Sequence, residues 1–321
     1  MATSKIAKVI EIDKRLATLL SRKTMEGKVG TVHSIFSKVI NFMSEDNKTI
    51  FSLALDDVIQ SPMMMKINDN CIFSEMKATL KPSDQIYLVD YKTVKIAGFL
   101  CEFSQANEWE RDIKSLSHLH NLSNEYVLED LNQLTLTLGK DSGLLTAYKK
   151  INATGFIGGC KDKSIYVEPF LKNLIDLERA TRERNLNRIY ETSLRFVGLG
   201  VGLTPSGDDF LLGCLAAWQY LQSPIYSVFE KRKEDWLAKA KIGTTALSYF
   251  MLESGMKGSI NNALYALIEA ISKKQPLFRS FKNMLSIGST SGTDMLIGVC
   301  FALRQSIKNR GGLSNVIKSI S

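Results

Sequence analysis

The chain reads as an α+β protein, with an N-terminal β-rich domain (a barrel or small sandwich) followed by a mainly α-helical domain. Three observations predict this. Residues 27–100 hold short β-branched and aromatic runs separated by turn residues. From about Glu108 the hydrophobic period lengthens to that of a helix. The remaining segments are helical in pattern, and a run of strands followed by a run of helices marks two packed parts.

In chain order, Ile6, Val9, Ile10, Leu16, Leu19 and Leu20 recur near a helical period and predict an opening helix. Val29, Thr31, Ile35, Phe36, Val39, Ile40 and Phe42 begin the β unit, which continues through Ile50–Leu53, Ile86–Val89 and Val94–Ile96. Glu45-Asp46-Asn47, Asn68-Asp69-Asn70 and Pro82-Ser83-Asp84 read as turns between strands. Met63-Met64-Met65 reads as core filler. Trp109, Ile113, Leu116 and Leu119 lie on one predicted helical face. Val127, Leu131, Leu134 and Leu138 continue the pattern as far as Gly139. Further helices are predicted near 168–180, 184–197, 206–221, 230–252, 258–273, 276–285 and 291–308. The domain boundary falls near residue 105, giving domains 1–105 and 106–321.

Composition narrows the function. The 321 residues are 45% hydrophobic and 23% charged, which excludes disordered and low-complexity classes. The net charge of +8 favours small anions or an acidic partner. The basic runs Lys231–Lys233 and Arg182–Arg188 contain or border Glu and read as solvated helix faces, so no nucleic-acid partner is expected. Cys71, Cys101, Cys160, Cys214 and Cys300 form no CxxC pair, and Cys214 and Cys300 sit in apolar runs. A reducing, cytoplasmic setting is expected. No run is long and apolar enough for a membrane span, and charges interrupt the N-terminal segment where a signal peptide would be apolar. With only His33, His118 and His120, an imidazole-rich metal site is not expected. His118 and His120 are two apart on a predicted helix and point to different faces, which suits surface or core roles. His33, beside Ser34, is the histidine with a candidate catalytic place.

The densest signal is Gly198-Leu-Gly-Val-Gly-Leu-Thr-Pro-Ser-Gly-Asp-Asp-Phe-Leu-Leu-Gly213. Alternating glycines allow an unusual backbone and close approach. Ser206 reads as an N-cap, paired with Asp209 three residues on, at the start of an apolar helix. Such an end offers free N–H groups and a positive dipole to phosphate or carboxylate. The pattern recurs 85 residues later, where Ser291-Gly292-Thr293-Asp294-Met295-Leu296-Ile297-Gly298 matches Ser206-Gly207-Asp208-Asp209-Phe210-Leu211-Leu212-Gly213. Two helix starts facing each other are predicted, with Gly213 and Gly298 allowing close packing. Helix caps worth about 1 kcal/mol each are the plainer alternative and the favoured one for the second segment alone, whereas the first, whose glycines are costly unless a special backbone is needed, reads as a site. Asp208 is left over by capping, and three readings stay open for it: a receiver of substrate amide N–H groups, a ligand of a divalent cation such as Mg²⁺, or a solvated carboxylate. No Lys follows Gly207, so this is not a Walker A loop, and the Gly-x-Gly-x-Gly spacing is not the dinucleotide fingerprint. Thr244, Thr245, Ser248 and Ser254 add hydroxyls near predicted helix termini.

With Val32-His33-Ser34-Ile35-Phe36 upstream and Ser291-Gly292-Thr293-Asp294 downstream, the Gly198–Gly213 stretch resembles the AllH-like family of oxamate carbamoyltransferase subunits. The resemblance runs over most of the chain, and its most specific part is Thr204-Pro205-Ser206-Gly207-Asp208-Asp209. Ser289 stands where that family's downstream element carries a histidine, so no role of that histidine carries over. The resemblance implies a part in purine-nitrogen (allantoin) catabolism. There a multi-subunit enzyme transfers a carbamoyl group between oxalurate and phosphate, yielding oxamate and carbamoyl phosphate. Implied partners are these small anions and other enzyme subunits. Asp208 and Asp209 become the candidate catalytic carboxylates, Asp208 orienting the carbamoyl amide. Gly200, Gly202, Thr204, Ser206, Gly207, Ser291, Gly292, Asp294 and His33 become candidate substrate-binding residues. Backbone N–H groups near Ser206 and Gly207 would meet phosphate or carboxylate, with the Ser206 and Ser291 hydroxyls as auxiliary donors. No metal is assigned. A non-catalytic scaffold subunit, or a stand-alone transferase or amidohydrolase on another ureido acid, is the alternative.

Overall fold

In a computed structural model, residues 4–22, 27–116, 125–141, 143–154 and 165–318 are described. The chain divides into two compact units, Met1–Arg111 and Asp112–Ser321.

The first unit is a β-barrel. Its elements are β1 (Lys5–Asp13), α1 (Lys14–Ser21), β2 (Lys28–Ile35), β3 (Val39–Ser44), β4 (Ile50–Leu55), β5 (Met64–Ile67), α2 (Asn70–Thr79), β6 (Gln85–Asp90), β7 (Thr93–Ile96), β8 (Phe99–Glu102) and β9 (Asn107–Trp109). The sheet order is β5-β4-β3-β2-β6-β7-β8-β1, and the antiparallel pairing of β1 with β5 closes it. Closure removes the free edges that an open sheet would expose. One side of β1 is shared in succession: Lys5–Lys8 pair with β8 and Glu11–Asp13 with β9, both parallel. Phe42, Phe51, Leu53, Met65, Ile67, Leu88 and Val94 fill the interior, and Met63, Met64 and Met65 are all buried as core.

Two expectations are corrected here. The opening segment is a strand before it is a helix. Ala7 and Val9 are buried while Lys8 between them is exposed, a period of two that the later helical Leu16 and Leu20 overlie in sequence. The switch comes at Asp13, whose carboxylate caps α1 by accepting from the Arg15 and Leu16 N–H groups. The Asn68-Asp69-Asn70 run is a helix start rather than a bare turn. Asp69 accepts from the Ile72 N–H at 2.8 Å, and Phe73 and Met76, three apart, turn inward. Asn47 and Ser83 do take the positive φ of turn residues.

The second unit is helical: α3 (Glu125–Leu138), α4 (Leu145–Thr154), α5 (Val167–Arg182), α6 (Leu186–Leu194), α7 (Ser206–Tyr220), α8 (Tyr226–Lys231), α9 (Lys233–Gly243), α10 (Ala246–Met256), α11 (Asn262–Ser272), α12 (Phe278–Leu285) and α13 (Ser291–Lys318). The helix expected from Glu108 is absent at its start. Trp109 belongs to β9, and Ile113–Ser115 form a single 3₁₀ turn capped by Asp112. Leu119, His118 and His120 lie outside the described residues, as does Cys160, while the continuation through Val127, Leu131, Leu134 and Leu138 is α3. The helix expected at 230–252 is three helices. Thr245 ends the run by capping α10, its hydroxyl accepting from the Ser248 N–H at 3.1 Å.

Every residue of α7 is buried, as befits a helix apolar on all sides. An aromatic cluster holds it in place: Phe210 stacks on Phe196 at 4.8 Å and meets Phe170 and Phe301 edge-on at 5.4 and 5.6 Å. Cys214 and Cys300 are buried free thiols, and burial pushes the Cys300 thiol up to about 11. No described helix is long and apolar enough to cross a membrane.

Candidate functional site

The two matching segments meet. Helices α7 and α13 cross at Gly213 and Gly298, each laid against the backbone of the other helix. A Cβ at Gly213 would overlap the Met295 carbonyl, and one at Gly298 would overlap the Phe210 carbonyl. Met295 and Phe210 are themselves 85 residues apart, so the crossing is a quasi-two-fold arrangement of the two copies. The helix starts face each other, and the Thr204 and Ser291 hydroxyls lie 3.0 Å apart across them.

Beneath the hydroxyls lie two buried carboxylates. Asp209 is 4% exposed and Asp294 is fully buried. Both have an Oδ2 atom that is buried and makes no hydrogen bond among the described residues. Burial pushes Asp294 up to about 7, opposed by the Leu144 N–H and by the Ser206 and Thr290 hydroxyls. Burial, and then the charge of Asp294, raises Asp209 well above the ordinary aspartate value. The Ser291 and Thr204 hydroxyls oppose this. Each acid is thus eased by a hydroxyl from the opposite copy as well as one from its own: Ser206 and Thr290 for Asp294, Ser291 and Thr204 for Asp209. Two neighbouring carboxylates with this little solvent disfavour each other's ionisation, and both are held above the ordinary aspartate range.

Asp208, the carboxylate that capping left unexplained, has protein partners throughout. Oδ1 accepts from the Gly198 N–H at 2.9 Å; Oδ2 accepts from the Ser248 hydroxyl at 2.7 Å and from the Thr244 hydroxyl. It thereby ties the glycine-rich loop to the α9–α10 junction. Burial raises its pKa against these three donors. Asp208→Asn retains an acceptor for Gly198 and relieves the buried charge, so its expected cost is only about 1 kcal/mol in urea unfolding.

The capping box predicted at Ser206 is replaced by another arrangement. Pro205 is the N-cap residue, its carbonyl accepting from the Asp208 and Asp209 N–H groups, and Ser206 is the first helical residue. Proline suits this place because its fixed φ leads into the helix. The Gly207 N–H is taken up by the Leu199 carbonyl at 2.8 Å, and the Gly292 N–H by the Ile287 carbonyl at 3.2 Å. Gly200 and Gly202 adopt φ of 126° and 97°. At Gly200 a side chain would also strike the Ser206 N–H, so glycine there keeps the helix start open. Val201 and Gly202 on one side, and Gly288 and Ser289 on the other, are exposed rims.

One contributor has no signal in either motif. The loop between α3 and α4 is fastened to α13: the Leu144 N–H donates to Asp294 Oδ1 at 2.9 Å, and the Lys140 N–H donates to the Thr293 hydroxyl at 3.1 Å. This places the Lys140 ammonium 2.8 Å from the Gly288 carbonyl, at the start of α13. Only the contact itself reveals Lys140, because nothing in its spacing distinguishes it from other surface lysines.

His33 belongs to the first unit, on β2, half-buried with Nδ1 3.1 Å from the Ser34 hydroxyl. Thr204, Ser206, Gly207, Asp208, Asp209, Ser291, Gly292 and Asp294 are gathered at the helix crossing in the second unit. Among the described residues no group of three or more His, Cys, Asp or Glu is arranged to hold a metal ion.

The family model described as AllH family N-terminal domain matches residues 8–108. The model described as oxamate carbamoyltransferase subunit AllH matches residues 196–303, a range that holds both copies of the helix-start motif. No solved structure matches the chain. The first match spans the barrel and the second the crossed helices that carry the buried acid pair, and on these two matches the chain belongs to the AllH family of oxamate carbamoyltransferase subunits.

Proposed function

We propose that this chain supplies a binding site for small carbamoyl-bearing anions at the crossed N-termini of α7 and α13, within a multi-subunit oxamate carbamoyltransferase of purine-nitrogen (allantoin) catabolism in the cytoplasm. The single observation carrying this reading is the pair of buried acids, Asp209 and Asp294, each with an Oδ2 that has no hydrogen-bond partner among the described residues, at helix starts whose Thr204 and Ser291 hydroxyls lie 3.0 Å apart. A carbamoyl group carries an acceptor carbonyl and a donor NH₂, and carbamoyl phosphate adds a dianion. Hydroxyls at the two helix starts, the helix dipoles and the Lys140 ammonium suit the acceptor oxygens. The buried acid pair suits the amide end, as acceptor or as a source of one proton. The amide-orienting role thus passes from Asp208, whose oxygens are engaged, to Asp209 and Asp294. Transfer of this kind requires positioning and stabilisation of a developing oxyanion.

The test is a thermal-shift screen of the full chain against phosphate, carbamoyl phosphate, oxamate, oxalurate and Mg²⁺. A ligand at a hundred times its Kd adds about 2.7 kcal/mol, and the expected responders are the anions, carbamoyl phosphate above all. Lys140→Met removes a charge-assisted contact worth about 1.5 kcal/mol or more, so its apparent affinity for phosphate-bearing ligands falls roughly tenfold or further. Unchanged affinity in Lys140→Met excludes that lysine from the site. The internal ties of Asp208 favour one second reading, a subunit that positions a partner's catalytic groups. Activity seen only after partner subunits are added, with ligand binding already present in the isolated chain, separates the two roles.

A further inference from the structure

The far end of α7 is also built around a polar cavity. Past Tyr220 the chain turns back through Gln222, whose φ of 48° is left-handed, and the Ser223 N–H returns to the Trp218 carbonyl at 2.9 Å. The turn leads into α8, and the 3₁₀ turn at Ile113–Ser115 packs against α7 beside it. A cavity of about 410 Å³, lined by Lys114, Gln219, Ser223, Tyr226 and Glu230, lies here. That volume suits a small molecule.

Gln219 in its wall is 7% exposed and carries an unmet acceptor. The Tyr226 hydroxyl donates to the Met256 carbonyl at 2.9 Å, and Gln219 Nε2 donates to the Tyr226 oxygen at 2.7 Å. Burial pushes this phenol up to about 12, with the Glu230 and Asp112 charges adding to the effect, so it keeps its proton. A carbonyl can only accept, so that proton belongs to Met256 and the amide must turn its NH₂ to the phenol. Gln219 Oε1 is left buried with no donor among the described residues. A buried acceptor in a cavity wall needs a donor from within the cavity.

Two opposite charges share the same cavity. Lys114 and Glu230 are both exposed, and neither forms an ion pair with another described residue. Lys114 is placed by Asp112, whose Oδ1 accepts its backbone N–H at 2.9 Å. We propose that this cavity is a second small-molecule site and takes a small α-amino acid. The ligand's ammonium meets Gln219 Oε1 and the Glu230 carboxylate, and its carboxylate meets the Lys114 ammonium. Gln219 lies about 20 Å along α7 from Ser206 at 1.5 Å per residue, so this site is separate from the helix crossing.

The test is a saturation-transfer NMR titration of the full chain with glycine, L-serine and L-asparagine. The expected result is saturable binding of at least one of them, with N-acetyl-L-serine and L-serinamide, which lack the ammonium and the carboxylate respectively, each at least tenfold weaker than L-serine. Glu230→Gln and Lys114→Met change exposed side chains and keep the fold, and each weakens binding roughly tenfold, the loss of one charge-assisted contact. Gln219→Met discards the unmet acceptor and leaves Tyr226 bonded to Met256. Its melting temperature should equal or exceed that of wild type while its affinity falls roughly tenfold. A purely structural glutamine would instead lower the melting temperature and leave the affinity unchanged. Saturating carbamoyl phosphate should not displace the amino acid. No binding of any of the three at tens of millimolar, wild-type affinity in both charge variants, or displacement by carbamoyl phosphate would each overturn the proposal.

Discussion

Gly298→Ala is expected to lower the melting temperature of the helical unit by roughly 6–12 °C. The added methyl meets the Phe210 carbonyl, a backbone atom in the most buried helix of the unit. A flexible side chain can yield, but α7 is fixed by Phe170, Phe196 and Phe301. Overpacking of this kind costs about 3 kcal/mol, and each kcal/mol moves the midpoint by roughly 2–4 °C in a unit of this size. Gly213→Ala is the quasi-symmetric counterpart against the Met295 carbonyl and carries a similar cost. The double variant costs less than the sum, because the first methyl already parts the helix axes at the shared contact. Scanning calorimetry of the four proteins checks both statements. Full additivity would mean that the two glycines do not share one crossing.

The second large effect is on the pH dependence of stability. Asp294 is raised from 3.8 to about 7 in the folded chain. Between those two values the native state binds more protons than the unfolded state, so unfolding free energy falls as pH rises through this window. The stability contributed by the protonated form is complete below about pH 4 and is lost as pH passes through about 7. At 1.36 kcal/mol per unit the loss reaches at most about 4 kcal/mol. Asp294→Asn keeps an acceptor for the Leu144 N–H and removes the titration. The variant should match wild type near pH 4 and exceed its melting temperature near pH 8. A deficit of constant size at every pH would mean instead that the Asp294 carboxylate is charged and well partnered when folded.

Much of this site was legible in the sequence, and the limits have physical causes. The repeated Ser-Gly-x-Asp-x-Leu-x-Gly pattern marked two equivalent helix starts, because close helix crossings require small residues at matched positions. Which acid serves which hydroxyl was not legible, since contacts between the copies exist only once the helices cross. Asp208 looked unemployed because its partners, Gly198, Thr244 and Ser248, come from two distant junctions. The β-rich character of residues 27–100 followed from branched residues and turns, whereas β1 was hidden by the helical Leu16 and Leu20 that follow it directly. The start of α2 was hidden because Asp69 caps a helix with the same residue type that makes turns.

Calorimetric titration of carbamoyl phosphate into the full chain tests the crossed-helix site most directly, with wild type, Ser291→Ala and Lys140→Met compared after each is shown to be folded. The account predicts saturable binding to wild type, weakened roughly tenfold or more in each variant, the loss expected when one charge-assisted or positioned hydrogen bond is removed. Wild-type affinity retained in both variants would contradict it, as would the absence of binding both in the isolated chain and in its assembly with partner subunits.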